Sequence, residues 1–162
     1  MESDEIRQTL READRAEAAP WTDYPPTPRW YPPAVGAWAA LLTLAFTELD
    51  GGLQWLALAA LIGAELGFVR WYVRYRNSVM PTGRPPREFR GAIALFVAGA
   101  SVLVLGTAAL ATLVAPWAGA AFAFVGTTLV IAWYERAYAD AARRTRERLA
   151  CARPRSTGST PR

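Results

Sequence analysis

Four apolar stretches separated by short polar connections dominate this chain of 162 residues. They cover roughly residues 33–49, 53–69, 91–113 and 116–133. A bilayer core about 30 Å thick is crossed by about 20 helical residues. The third stretch has that length, and the second and fourth reach it with their flanking aromatic residues. The sequence therefore predicts an all-α, polytopic membrane protein with four transmembrane helices arranged as two hairpins.

The first apolar stretch is the shortest of the four. Its 17 residues would extend about 25 Å as a helix, so it either spans with Trp30 and Tyr31 at the surface or forms a re-entrant segment. Two prolines, Pro32 and Pro33, suit the first turn of a helix, and the preceding aromatic residues suit the membrane interface. These features favour a full span.

A soluble helical bundle is the main alternative to a membrane protein. Each helix of such a bundle needs a polar face for water. Residues 91–133 contain no charged side chain, and their only polar side chains are Ser101 and four threonines. The mean hydropathy of +0.08 looks soluble only because it averages an apolar middle with two charged ends. We therefore expect a bilayer rather than water around these helices.

Arginine supplies every basic side chain, 18 in all, and the distribution of these arginines predicts the orientation. Short arginine-rich segments stay in the cytoplasm. The connections at 48–52 and 115–117 carry no basic residue, whereas the central connection and the C-terminal segment are rich in arginine. We expect a multi-pass protein of the cell membrane with both termini cytoplasmic. The predicted basic cytoplasmic face contains Arg70, Arg74, Arg76, Arg84, Arg87, Arg90, Arg136, Arg143 and Arg144.

The regions outside the apolar stretches have their own compositions. Six prolines among residues 20–33 favour extended polyproline geometry. The final residues are rich in Arg, Pro, Ser and Thr, a composition typical of disorder. In chain order we expect an N-terminal polar helix at 1–19, a Pro/aromatic interfacial segment at 20–33, a first transmembrane hairpin at 34–76, a cytoplasmic Arg/Pro loop at 77–90, a second transmembrane hairpin at 91–134, a basic cytoplasmic helix extending the last span at 135–150, and a disordered tail at 151–162.

Aromatic residues flank the predicted spans. Because Trp and Tyr accumulate at both membrane interfaces, we interpret these residues as interfacial anchors. They are Trp30, Tyr31, Trp71, Tyr72, Trp117, Trp133 and Tyr134. The sequence Trp-Tyr-Val-Arg at 71–74 is echoed by Trp-Tyr-Glu-Arg at 133–136. Either the two hairpins arose by duplication, or the ends of the second and fourth spans acquired these anchors independently. The preference of Trp and Tyr for the membrane interface is sufficient to explain the second case.

The second predicted span carries two features on different faces. Ala59, Gly63 and Gly67 recur every four residues, a pattern that lets two membrane helices approach closely. Glu65 lies about 160° around the helix from both glycines and about 7 Å deeper than Arg70. An acid inside a membrane faces a protein interior or a wet cavity and often marks a proton or cation path. Glu65 is therefore either a polar contact between helices or a candidate ion or proton site.

Signatures of catalysis and of metal or cofactor binding are missing from the sequence. The chain has no histidine for general-base or metal duty, no Gly-rich phosphate loop and no nucleophile elbow. We therefore expect a non-enzymatic protein without cofactor or metal. The arginines flank the spans as topology signals and contacts for anionic headgroups do, so we expect lipid rather than nucleic acid as their partner.

Two functions of different classes fit these features. The favoured one is a subunit, assembly partner or regulator that acts by helix packing in the membrane. The alternative is a small oligomeric transporter or channel in which Glu65 binds a proton or cation. The four-helix layout is similar in size to the small multidrug transporters, but their essential acid lies in the first helix, whereas Glu65 lies in the second.

Overall fold

The computed structural model describes residues 2–23, 27–76 and 85–151. Side chains within these ranges are described except at residues 2–4, 7, 11, 75 and 76. The regular structure of the described ranges is entirely helical, which confirms the all-α prediction. The five helices are α1 (Glu2–Thr22), α2 (Tyr31–Thr47), α3 (Gly51–Arg76), α4 (Arg87–Leu113) and α5 (Pro116–Cys151).

Three of these helices, α3, α4 and α5, are long and apolar enough to cross a membrane. This is the pattern of a membrane-embedded protein, as the apolar stretches predict. The first apolar stretch forms α2, which has 17 residues and would extend about 25 Å. It lies on the short side of the length needed for a span.

The two helices that flank the proline-rich segment extend into it from both sides. Pro20 lies inside α1, which continues to Thr22 instead of ending near residue 19. Pro20 has no backbone N–H and gives up its bond to the carbonyl of Ala16, yet the helix continues for two more residues. At the other side, Pro32 and Pro33 occupy the first turn of α2, as the sequence suggests. The interfacial segment is thus shorter than expected, and residues 24–26 within it lie outside the described ranges.

Helix α5 is the centre of the fold and packs along both α4 and α2. Small residues allow the close approach in both interfaces. A Cβ added to Gly36 of α2 would lie 2.6 Å from the backbone oxygen of Phe124, and one added to Gly119 of α5 would lie 2.6 Å from the Cβ of Ala111 in α4. Since real Cβ atoms do not approach other atoms so closely, these two positions require glycine.

The two expected hairpins are packed very differently. Helices α4 and α5 run antiparallel in contact along their length, from Gly119 beside Ala111 to Phe96 beside Tyr134. Among the described helices, α3 contacts only α2, and does so sparsely. The indole nitrogen of Trp38 donates a hydrogen bond to the backbone oxygen of Leu61 at 3.3 Å, one of few links between α2 and α3. The main partner of α2 is therefore α5 rather than α3.

The arginine-rich end of the bundle is the end where α3 finishes and α4 begins. There α5 continues without a break past Trp133 to Cys151, in line with the expected basic extension. Phe89, Ala141 and Ala142 form a small buried core between α4 and this extension. Trp21 of α1 and Tyr138 of α5 pack against it. The expected loop residues 77–84 and tail residues 152–162 lie outside the described ranges.

Candidate functional site

The small-residue face of α3 has no neighbour among the residues that the structure describes. A Cβ added to Gly63 or Gly67 would meet nothing within 4 Å, and Ala59 is exposed. The large apolar side chains around them are exposed too, with Leu56 at 70% and Leu66 at 66%. The structure therefore does not bring the predicted packing residues against another helix of the same chain.

Glu65 is exposed on the same isolated helix. Within the described ranges, no hydrogen bond or ion pair involves its carboxylate. Arg70, the nearest arginine along α3, is also exposed and makes no ion pair with it. The chain thus presents a carboxylate and an open glycine face on different sides of one helix.

Most of the predicted anchors near the arginine-rich end form one aromatic cluster between α2 and α3. The Tyr31 ring stacks on Phe68 and Tyr72, with centroids 6.0 and 5.9 Å apart. Trp30 contacts Phe68 at 6.0 Å and Trp71 at 6.5 Å. Aromatic pairs at such distances add to the apolar contact, so this cluster holds the start of α2 against the end of α3. Phe68, which lies at its centre, was not among the predicted anchors.

The other predicted anchors lie on α5. Tyr134 packs on Phe96 of α4, with ring centroids 4.7 Å apart. Trp133 and Trp117 are largely exposed. Trp117 borders a crevice of about 330 Å³ between α2 and α3, lined mostly by apolar side chains that include Leu41 and Leu61. Where the two helices separate, the end of the bundle opposite the arginine-rich end is therefore open.

Glu88 is the centre of a polar junction between α4 and α5 at the arginine-rich end. Its Oε1 accepts hydrogen bonds from Nε of Arg87 at 3.3 Å and from Nε of Arg148 at 2.9 Å. The side chain of Glu88 is only 12% exposed, and its Oε2 is buried without a hydrogen-bond partner. The carboxylate thus connects the first turn of α4 to the far end of α5.

Glu88 precedes the apolar stretch that begins at residue 91, and its environment lowers its pKa. Burial by itself raises the pKa of this carboxyl, because a low dielectric disfavours the charged form. The hydrogen bond from its own backbone N–H, the hydrogen bonds from Arg87 and Arg148 and the positive charge of Arg148 outweigh burial. The net pKa therefore lies below the ordinary glutamate value, and Glu88 is an anion at neutral pH.

The end of α1 docks beside this junction. The hydroxyl of Tyr138 donates a 2.9 Å hydrogen bond to the backbone oxygen of Trp21, and Arg146 donates to the backbone oxygen of Thr22. The Trp21 ring lies 5.5 Å from that of Phe89. Two backbone carbonyls at the end of α1, which have no partner within the helix, thus accept hydrogen bonds from α5. These bonds fix the end of α1 on α5.

The arginines of the predicted basic face lie in several different environments. Arg87 belongs to the Glu88 junction, and Arg143 pairs with Asp140 one turn earlier at 3.0 Å. The side chains of Arg70, Arg74, Arg90, Arg136 and Arg144 are exposed. Those of Arg76 and Arg84 lie outside the described side chains. In the sequence Glu88 is the single acid among the arginines of residues 70–90, and that isolation was the one signal of its role.

The glycines that make close contacts are not the ones that the spacing pattern selects. Gly36 and Gly119 bring helices together, yet neither belongs to the Ala59, Gly63 and Gly67 repeat. The repeat indicates which helix surface can be approached closely, but it does not say whether anything approaches it. Within the described ranges, no three His, Cys, Asp or Glu side chains form a group suited to a metal ion.

The comparisons with known proteins found no match: no family model, no curated protein and no solved structure resembles this chain significantly.

Proposed function

We propose that this protein is a non-enzymatic subunit, assembly partner or regulator of a larger membrane system, which it joins through α3. In this proposal all four apolar helices span the cell membrane, both termini are cytoplasmic, and the exposed arginines contact anionic headgroups. The partner is a transmembrane helix of another protein, carrying a hydrogen-bond donor or a cation at the depth of Glu65.

The observation that carries the proposal is the isolation of Glu65. A carboxylate on a membrane helix is costly unless it is paired or reached by water. No described residue of this chain pairs with it, although an adjacent helix, α2, is within reach of other α3 residues through Trp38. A donor from a second molecule would satisfy the carboxylate.

The open face of α3 supports the same proposal. Gly63 and Gly67 leave a shallow channel along the helix, since a Cβ added at either position would have no neighbour within 4 Å. Small residues in this arrangement let a second helix approach closely, so that packing and weak backbone contacts supply the attraction. Because Glu65 lies about 160° around α3 from the glycines, two neighbouring partner helices can use the two sides.

Affinity purification in a mild detergent tests this function. We expect the wild-type protein to copurify with a larger membrane complex of fixed composition. Gly67→Leu should fill the channel and reduce that copurification about tenfold or more, because a buried clash and lost contacts together exceed about 1.4 kcal/mol. Ile62→Phe is the matched control: it enlarges an exposed side chain of α3 between the two faces and should leave the complex intact.

Two results would contradict the proposal. One is a wild-type protein that purifies alone under conditions that preserve membrane complexes. The other is equal loss of the partner in Gly67→Leu and Ile62→Phe, which would mean that bulk on α3, rather than its glycine face, decides assembly.

The second candidate is a homo-oligomeric transporter or channel, favoured by the exposure of Glu65. A carboxylate that carries a proton or cation must titrate, whereas glutamine cannot. If this candidate is correct, wild-type protein in proteoliposomes conducts a flux coupled to a pH gradient, and Glu65→Gln abolishes the flux while the oligomer keeps its size. A flux that persists in Glu65→Gln, or no flux in either protein, argues against it.

A further inference from the structure

A polar cavity of about 450 Å³ lies where α1, α4 and α5 meet at the arginine-rich end. Its walls carry charges of both signs: the acidic side chains come from one helix and the basic side chains from the other two. Asp14 and Glu17 come from α1, Arg87 and Arg90 from the start of α4, and Arg148 from α5. A cavity of this volume holds a small polar group. None of the α3 residues on which the proposed function rests lines this cavity.

The arginines of the cavity are held in place by a residue behind them. Glu88 accepts a hydrogen bond from Nε of Arg87 and another from Nε of Arg148. A guanidinium has five N–H donors, so these bonds leave the terminal Nη groups for a ligand. The planar fork of arginine suits the paired oxygens of a phosphate. Together with Arg90, they form a basic wall of the cavity.

The depth of the cavity matches the headgroup layer, with α4 taken as a membrane span. A hydrocarbon core of about 30 Å takes about 20 residues, and counting back from Leu113 reaches Ala94. Arg90 lies four residues further out, about 6 Å along the helix. Since the headgroup region adds about 5 to 7 Å on each side, Arg90 is level with lipid headgroups.

The acids on α1 determine which headgroup fits. The contacts of Tyr138 with Trp21 and of Arg146 with Thr22 fix the end of α1, and this places Asp14 and Glu17 on the wall of the cavity. A ligand with negative charge alone would meet these two carboxylates without compensation. A ligand that also carries a cation would pair with them.

We propose that this cavity binds a phospholipid headgroup containing both a phosphate and a primary ammonium group, as in phosphatidylethanolamine. The phosphate accepts hydrogen bonds from Arg87, Arg90 and Arg148, and the ammonium donates to Asp14 and Glu17. Phosphatidylcholine offers a cation without N–H donors, and phosphatidylglycerol offers no cation. The inference depends on α4 spanning the membrane and is independent of any partner of α3.

Native mass spectrometry of the purified full-length protein tests the proposal. The protein is equilibrated with equal amounts of phosphatidylethanolamine, phosphatidylglycerol and phosphatidylcholine with the same acyl chains. We expect wild-type protein to retain phosphatidylethanolamine at least about fivefold over each of the others, the effect of one to two charge-assisted hydrogen bonds. Equal retention of the three lipids, or a preference for phosphatidylglycerol, would overturn the proposal.

Two variants locate the preference in the cavity. The double variant Asp14→Asn/Glu17→Gln should lose it and retain phosphatidylglycerol at least as well as phosphatidylethanolamine. Glu5→Gln/Glu12→Gln removes the same charge from exposed positions of α1 and should keep the wild-type preference. Arg90→Gln, at an exposed site, should weaken retention of all three lipids. If the two double variants behave alike, the acids of the cavity do not select the headgroup.

The source of the headgroup is tested by competition. Soluble glycerophosphoethanolamine, at the concentration of the lipid, should displace little of the bound phosphatidylethanolamine, because the acyl chains contribute to lipid binding. Full displacement would assign the cavity to a free phosphoethanolamine compound and would exclude the lipid.

Discussion

Glu88 accepts a 2.9 Å hydrogen bond from Nε of Arg148, a residue 60 positions later in the chain. This bond connects the first turn of α4 to the last turn of α5. It also orients an arginine that lines the cavity beside α1. At the arginine-rich end of the protein, a specific polar contact therefore holds α4 and α5 together.

Removal of the Arg148 side chain should weaken the docking of the end of α5 on the start of α4. Arg148→Ala leaves the buried Glu88 carboxylate with Arg87 as its remaining partner, and the pair is partly exposed, so we expect a loss of about 1 kcal/mol. That corresponds to about a fivefold shift in the docked fraction. Spin labels at Gly91 of α4 and at the native Cys151, both exposed, would report the shift as a broader distance distribution. Arg144→Ala, on the exposed side of the same helix, should change nothing.

The same junction should open at acidic pH. Because the pKa of Glu88 is lowered in the folded protein, its contribution is fully present above the ordinary glutamate pKa. It is lost as the pH falls through the lower folded value. The label pair should therefore separate as the pH falls below about 4.5, the ordinary value. Glu88→Gln should be partly open at neutral pH and should respond less to acid, and an identical pH response in both proteins would refute the role of Glu88.

Gly36 should tolerate no side chain. An added Cβ would collide with the backbone of Phe124 and with the hydroxyl of Thr128 in α5. Since a backbone atom cannot move aside as a flexible side chain does, Gly36→Ala should destabilise the fold by about 1–3 kcal/mol. Thermal unfolding in detergent measures this loss. Gly63→Ala is the matched control, because nothing lies within 4 Å of its added Cβ, and equal stability of the two variants would contradict the α2–α5 contact.

The proposed topology can be tested by cysteine labelling in intact cells after replacement of Cys151. Asp50→Cys should react with a membrane-impermeant reagent from outside, and Ser78→Cys should react only after the cells are opened. Asp50 is preferable to its neighbour Gly51, whose φ of 58° disfavours any side chain. Labelling of position 78 from outside would exclude a cytoplasmic central connection.

Helix content and approximate helix bounds followed from the sequence because they depend on local composition. Apolar runs of sufficient length predicted helices that occur as α2 to α5, and Pro32 and Pro33 correctly indicated the start of α2. The end of α1 was not predictable in this way. The sequence shows a proline at residue 20. The α5 residues that contact Trp21 and Thr22 at the end of α1 lie more than 100 positions later in the chain.

The sequence by itself determined that the chain is helical, strongly apolar in its middle and rich in arginine at defined connections. Only the tertiary structure decided which helices touch: α5 is the central helix, α2 packs on α5, and the glycine face and Glu65 of α3 have no partner among the described residues. The physical reason is that apolar helices in lipid share the same composition on every face. Their packing is then decided by steric fit at single positions such as Gly36 and Gly119 and by long-range polar contacts such as that of Glu88 with Arg148, neither of which has a local pattern in the sequence.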